Sequence, residues 1–412
     1  MTVMEGLRIR NYRSLRDIAM GRIGTDGALR DAAPLTPLTV LIGKNGVGKN
    51  ALFDALGFIA DCMETDLETV CNARNRGGYD ALVSSGVDQP IGIAVHYRES
   101  GNGSALTYEL SVGKDPATGR AIVLSERLSG SAASGGDSAG SRSFLQLERG
   151  KGTVYTGDDA VGGDEALTRT VEFDPHKSAL VSLAEQFSEY PRIARFKKYV
   201  QSWYFSGFTP EAARRASQGG EQTHLNPTGD NIGNVIQYME RAHPVLFRKI
   251  LVDVATEVPG IGTVEPHRDP VTDTLHLLFK DRGFARPFTQ EQMSDGTLKM
   301  FGYFLLLNDP EPAPLVCIRE PENGLYLKLL ETLANEFKAH ATGREGSPQI
   351  FITTHHPYLV DVFDPEDVWI LEKGRDGFST ISKAADYEDV KDLAAGGFPL
   401  GELWYKDFFD PR

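Results

Sequence analysis

The sequence is poor in cysteine, with three (Cys62, Cys71 and Cys317) in 412 residues. That excludes a disulfide-stapled framework, and their spacing suits no zinc site. A reducing, intracellular setting is the expectation. Long hydrophobic runs are also missing. The longest, around residues 301–307, falls far short of the roughly 20 residues needed to cross a bilayer. The opening MTVMEGLRIRNYRSLRDI has no apolar core of the signal-peptide kind, so a soluble, cytoplasmic chain with no membrane partner is expected. Positive charge is scarce as well. Lys and Arg number 43 against 57 Asp and Glu, a net charge of -14. This argues against a broad basic nucleic-acid face and leaves only local basic strips open.

What is present suits a large globular protein. Of the residues, 41% are hydrophobic and 24% charged, ample for a sizeable core in two or three domains. Residues 7–9 and 38–42 are short β-rich runs. The second leads into the loop GKNGVGKN (residues 43–50), followed by NALFDALGFIADCM. There Leu52, Leu56 and Ile59 fall on one helical face. Residues 91–97 and 105–112 alternate like antiparallel strands. Residues 129–143 are Gly, Ser and Ala apart from Asp137 and Arg142, and are read as a flexible loop. From 178 to about 250 the pattern turns helical, with Ile232, Val235, Ile236 and Met239 in register. Strand signals return at 274–279, 315–318, 350–354 and 368–371. The last stretch, 386–412, reads as a packed tail.

The loop matches G-x-x-x-x-G-K-[ST] except at its last position, which is Asn50. Its glycines let successive N–H groups turn inward, and with the following helix N-terminus they form a polyphosphate cradle. Lys49 would reach the β- and γ-phosphates. A Ser or Thr hydroxyl normally ligates Mg²⁺ where Asn50 stands; an amide oxygen differs in length and geometry.

A second constellation is PLVCIREPENGL (residues 314–325). An apolar strand ending in two acids would supply a Mg²⁺ ligand and then a general base. Glu320 has the base position, but Arg319 stands at the ligand position. A guanidinium there either pairs with phosphate or forms an ion pair with Glu320 or Glu322. Further on, QIFITTHHPY puts His355 just past a strand end, where open parallel sheets bind ligands. It either contacts a γ-phosphate or its attacking water, or caps the strand. A metal site from His355 and His356 is disfavoured, because neighbours on a strand point apart. Upstream, EQMSDGTLK starts a helix at which Ser294 either caps the N-terminus or donates to a phosphate.

Taken in order, GKNGVGKN, MSDGTLKMF, LVCIREPENGL and FITTHHPYLVD resemble the ATPase heads of the ABC/SMC/RecF branch of P-loop proteins. They are most similar to the stand-alone bacterial AAA family ATPases of that branch. LRIRNYRSLRDI and RGGYDALV (residues 76–83) fit the same resemblance. It implies an α/β fold: a mostly parallel sheet with flanking helices, an antiparallel β-subdomain and a helical insert. Residues 1–177 would hold the phosphate loop and β-subdomain, 178–290 the helical insert and returning strands, and 291–412 the signature, acidic strand and histidine. By resemblance, Asn45, Gly46, Val47, Gly48, Lys49, Asn50 and Ala51 bind ATP, and Asn50 is the residue left for Mg²⁺. Ser294, Asp295 and Gly296 match the signature, Glu320 the catalytic glutamate and His355 the switch histidine. Gln89 is the candidate for the Q-loop glutamine. Two heads would dimerise head to tail, ATP on one being closed by Ser294 and Gly296 of the other.

Three functions follow as expectations. One is an active ATPase; a second is a nucleotide-binding module that hydrolyses poorly because Asn50 and Arg319 alter the metal positions. A third is a DNA-binding repair-type ATPase. For this last, Arg192, Arg195, Lys197 and Lys198 with Tyr199, Trp203 and Tyr204 read either as a single-strand surface or as a solvated helix face with its apolar side packed. The stand-alone members of this group suggest a separate nuclease or toxin effector, TOPRIM-like, in anti-phage defence; the chain carries no nuclease signature of its own.

Overall fold

The computed structural model describes residues 1–23, 29, 32–100, 103, 105–131, 141–156, 167–186, 188–215, 221–271, 275–283, 285–343 and 346–409. The chain forms two compact units, Met1–Trp203 with Glu366–Tyr387, and Tyr204–Pro365 with Glu388–Arg412.

The first unit holds an eight-stranded sheet. Strand Val3–Tyr12 lies between Leu15–Gly21 and Ile91–Arg98, and all three are antiparallel. Strands Ala105–Lys114, Ala121–Ser131, Ser141–Glu148, Lys151–Tyr155 and Thr168–Glu172 continue the sheet as an antiparallel meander. Alternation is expected in Ile91–Arg98, yet all but its last residue are buried. The cause is small side chains covered from above: a Cβ on Gly92 would lie 2.9 Å from the Arg10 guanidinium. The opposite face packs on helix Pro191–Gln201, where the Phe196 ring meets Tyr97 and Tyr108 at 4.9 and 4.5 Å between centroids. Burial raises the Glu126 carboxyl, which accepts from Tyr108 Oη (2.7 Å), Ser178 Oγ (2.5 Å) and the Ala179 N–H (2.8 Å).

Of the stretch expected to be a flexible loop, residues 132–140 lie outside the described residues. Its flanks are ladder rather than loop, with Ser129 opposite Ser143 and Gly130 opposite Arg142. Neighbouring strands supply the burial that this composition lacks by itself.

The same unit contains strand Leu38–Ile42, every residue buried, parallel to Val368–Lys373. Strand Ser379–Lys383 then pairs antiparallel with Val368–Lys373. Helix Lys49–Cys62 follows the phosphate loop and buries Leu52, Leu56 and Ile59, as their spacing anticipates.

In the second unit, strands Tyr204–Ser206, Leu315–Arg319 and Gln349–Thr354 are parallel neighbours. A separate three-stranded sheet runs Ile261–Arg268, Leu275–Asp281, Phe288–Thr289. Helices Ile232–Ala242 and Pro244–Glu257 supply the expected helical stretch, with Ile232, Val235, Ile236 and Met239 buried. The apolar run 301–307 is the buried length of helix Asp295–Leu307. Gly302 is needed there, because a Cβ would lie 2.4 Å from the Phe208 ring. Among the described residues no helix is long and apolar enough to cross a membrane.

Candidate functional site

The phosphate loop belongs to the first unit. Gly46 and Gly48 adopt φ of 81° and 108°, the left-handed region that side chains other than glycine's enter at a cost. Gly48 is the N-cap of helix Lys49–Cys62, no side chain caps that end, and no acid lies in its first turn. Its leading N–H groups and the positive end of the helix dipole are thus left for an anion. Asn45, Gly46 and Asn50 are exposed, whereas Val47, Lys49 and Ala51 are buried. Lys49 Nζ donates to the loop's own carbonyls, Gly43 O at 2.5 Å and Lys44 O at 3.1 Å. The ammonium is held at the centre of the curl that it would have to seal around a phosphate.

The loop is braced from outside. Ser379 Oγ donates to Val47 O at 2.6 Å and lies 2.9 Å from Ser14 Oγ. A Cβ on Gly48 would sit 2.5 Å from Ser379 Oγ and 2.8 Å from Ser14 Oγ. Steric overlap then adds to the backbone strain. Gly48→Ala is expected to cost about 2–3 kcal/mol, read in a thermal melt as a Tm lower by roughly 2–4 °C.

Sequence reasoning missed how the helix behind the loop is secured. Arg76, the first residue of RGGYDALV, has a fully buried side chain. Its Nε donates to Asp54 at 3.0 Å; its Nη1 donates to Asp61 at 2.7 Å and to Val70 O at 3.0 Å. Asp54 also accepts from Tyr12 Oη at 2.8 Å and pairs with Arg13 at 3.0 Å. Spacing hints at this, since Asp54 and Asp61 are seven residues apart and so share a helix face. Gln89 is exposed, and its carbonyl accepts from Asn11 Nδ2.

The acidic strand and the histidine belong to the second unit, and here the structure does bring sequence candidates together. Strand Leu315–Arg319 ends opposite Thr353 of the parallel strand Gln349–Thr354. Glu320 turns the chain with φ of 43°, a left-handed value for a side-chain-bearing residue. Its N–H donates to Thr353 O at 2.9 Å. Its carboxylate accepts from Asn323 Nδ2 at 3.0 Å and lies 3.7 Å from His355 Nδ1. Glu322, which the sequence offered only as an ion-pair partner for Arg319, is the buried acid of the group, with its side chain 2% exposed. Its Oε1 accepts from Thr354 Oγ1 at 2.8 Å and from the His355 N–H at 3.0 Å.

Ser294 takes the capping role: it is the N-cap of helix Asp295–Leu307 and accepts from the Thr297 N–H at 3.2 Å. Asp295 pairs with Arg214 at 2.5 Å. A Cβ on Gly296 would meet Gly324 O at 3.3 Å, which places the signature helix start against the Pro321–Leu325 turn. On the same helix Lys299 is buried and donates to Asn323 O at 2.7 Å. Burial lowers its ammonium below the usual lysine range, and Glu322 and Glu320 offset part of that.

Arg319 is exposed at its strand end and, among the described residues, forms no ion pair with Glu320 or Glu322. The metal positions therefore hold an amide and a guanidinium in place of a hydroxyl and a carboxylate. Among the described residues no group of three His, Cys, Asp or Glu is placed to hold a metal. This donor set does not fit Mg²⁺, which takes carboxylate and other oxygen ligands. The basic, aromatic stretch after residue 190 is not an open strip either. Arg192 and Arg195 both pair with Glu99, and Tyr199 and Trp203 are buried edge to face. Neither the Tyr199 ring nor the Trp203 ring is open for a base to stack on.

Residues 38–361 match the family described as "AAA domain, putative AbiEii toxin, Type IV TA system". No curated protein matches this chain in sequence. Among solved structures, the chain is similar to an SMC head bound to the C-winged helix domain of ScpA, at 13% identity and a TM-score of 0.54. That match covers 92% of this chain and 97% of that one. An SMC head with an extended coiled coil, bound to the C-terminal domain of ScpA derived from Pyrococcus furiosus, gives 12% identity, coverage of 96% and 100%, and a TM-score of 0.49. The SMC head domain from Thermotoga maritima gives 12%, 92% and 98%, and 0.44. The likeness in fold rests on the first of these. Its fold is similar to that of an SMC head, and the family match spans most of the chain, from the phosphate-loop strand past His355, so the chain belongs to this AAA-domain family.

Proposed function

We propose that this protein is an ATP-binding head that dimerises head to tail around nucleotide and controls a separate effector, acting in the cytoplasm in bacterial anti-phage defence. The observation that carries the reading is the uncapped helix N-terminus behind Gly48, with Lys49 curled onto its own loop. Asn45, Gly46, Val47, Gly48, Lys49, Asn50 and Ala51 would receive the triphosphate of ATP through backbone N–H groups and one ammonium. Residues 1–177 would supply the phosphate loop, 178–290 the helical insert, and 291–412 the signature, Glu320 and His355.

In the hydrolytic step, Glu320 takes a proton from water as the water oxygen bonds to the γ-phosphorus. The bond to the bridging oxygen breaks, and ADP and phosphate leave. His355 helps to place that water. The missing metal ligands make the step slow, and no part of it is routed through Mg²⁺. Ser294 and Gly296 of the second head would close the site, so that nucleotide and dimer are thermodynamically linked. The effector is proposed as a separate nuclease or toxin subunit, by the resemblance to stand-alone ATPases. A second reading, a scaffold that senses nucleotide without consuming it, is favoured by the exposed guanidinium of Arg319, which among the described residues pairs with neither Glu320 nor Glu322. Repair-type DNA binding is disfavoured by the burial of Tyr199 and Trp203.

Mixing variants tests the head-to-tail geometry. Lys49→Ala and Ser294→Arg should each fail to dimerise with ATP when measured by light scattering. Their mixture should recover part of the dimer, because one of its two composite sites keeps both an intact loop and an intact signature. No recovery on mixing would exclude this arrangement.

A further inference from the structure

Glu322 is the one carboxylate of the second unit's cluster that lies almost wholly out of water, and nothing in ATP hydrolysis as described above uses it. Burying an ionised carboxylate is costly, so its partners say what it is for. Its Oε1 accepts two hydrogen bonds, both from the end of strand Gln349–Thr354: the Thr354 hydroxyl and the His355 N–H. Thr354 Oγ1 in turn accepts from the His356 N–H at 3.0 Å. The carboxylate thus fixes the backbone from which the His355 ring projects. Glu322 Oε2 and His355 Nδ1 are both buried and, among the described residues, both lack a hydrogen-bond partner. Nδ1 lies 3.3 Å from Glu322 Oε1, within reach but off line for a hydrogen bond. Its other carboxylate neighbour, Glu320, is farther off, with Oε1 at 3.7 Å, while Asn323 donates to Glu320 Oε2. A small turn of the imidazole completes an Nδ1–H bond to Glu322 and satisfies the orphaned nitrogen.

We infer that Glu322 is a positioning residue that holds His355 with its proton on Nδ1, so that Nε2 is presented as an acceptor. The consequence is chemical. An Nε2 acceptor repels a phosphate oxygen and accepts from a water O–H. His355 in this chain therefore orients the attacking water toward Glu320 rather than gripping the γ-phosphate. A carboxylate that fixes a histidine's tautomer through Nδ1 is the general logic of orienting acids in His-dependent sites. Lys299 supports the arrangement from the signature helix by holding Asn323 O, and Asn323 holds Glu320.

The inference rests on the hydrolytic reading for its consequence but not for its geometry, so the test has two arms. In the first, the full chain is labelled with ¹⁵N-imidazole histidine and examined at alkaline pH, with His355 assigned among the nine histidines through His355→Gln. The expected spectrum shows Nδ1 protonated and Nε2 bare, and Glu322→Ala moves His355 to the opposite tautomer or a mixture. A wild-type Nε2–H signal, or a spectrum unmoved by Glu322→Ala, overturns the inference. In the second arm, Glu322→Ala lowers ATP turnover by about 10²-fold, with the KM for ATP within about threefold. Added to His355→Gln it lowers turnover no further. Full additivity of the two substitutions overturns the inference. Glu322→Gln, which keeps an acceptor oxygen and guards against misfolding, retains the wild-type tautomer and loses less than about tenfold. If wild-type protein does not turn over ATP, the hydrolytic reading falls, and the first arm still decides the tautomer.

Discussion

Lys49→Ala is expected to weaken ATP binding by at least about 10²-fold, or about 3 kcal/mol, in a calorimetric titration. The ammonium is buried, and its hydrogen-bond partners are two carbonyls of the loop that it closes. Incoming phosphate oxygens would take over those bonds as charge-assisted ones, which are the stronger kind. Alanine removes the buried side-chain cation of the curl and leaves Gly43 O and Lys44 O facing the same polyanion. Stability should change far less than affinity, because Val47 and Gly48 are braced independently through Ser379 and Ser14. A variant that melts like wild type and binds ATP equally well would remove the phosphate loop from the account of function.

The paired substitution Asn50→Ser with Arg319→Asp is expected to raise Mg²⁺-dependent ATP turnover by roughly 10²-fold. Each change restores an oxygen ligand of the kind Mg²⁺ prefers, and the second also removes a cation from the position. Neither should disturb the fold, since both side chains are exposed and Arg319 forms no ion pair with Glu320 or Glu322. Each alone should gain little, because one ligand without the other leaves the metal half held; the gain is therefore expected to be strongly non-additive. Turnover unchanged in the double variant would favour the nucleotide-sensing scaffold, with Arg319 itself answering the phosphate charge.

Much of this architecture is legible in the sequence, for physical reasons. The phosphate-loop strand is a continuous apolar run and its helix carries a regular apolar face, so both are readable from periodicity. The glycines at 46 and 48 stand where left-handed backbone is required. Strand Ala121–Ser131 was not legible, because Ser125, Glu126 and Arg127 interrupt any alternation and the buried Glu126 looks like a surface residue. Strand Ser141–Glu148 was hidden in the same way, its first residues merging with a Gly/Ser tract. At the candidate site, Glu320 and His355 directly follow the strand ends at which the sequence places them. Glu322 could not, since nothing in EPENG distinguishes a buried carboxylate from an exposed one. Lys299 was equally opaque: a lysine in a helix is ordinarily solvated, and only the Pro321–Leu325 turn packed above it makes it an internal donor.

The Arg76 clamp has a bearing on movement. One guanidinium grips two turns of the phosphate-binding helix and the carbonyl of Val70. Residues 54–76 are thereby cross-tied at three points by one buried side chain. Losing that guanidinium would therefore free the two halves of the segment from each other while leaving the glycine turn at 46 and 48 in place.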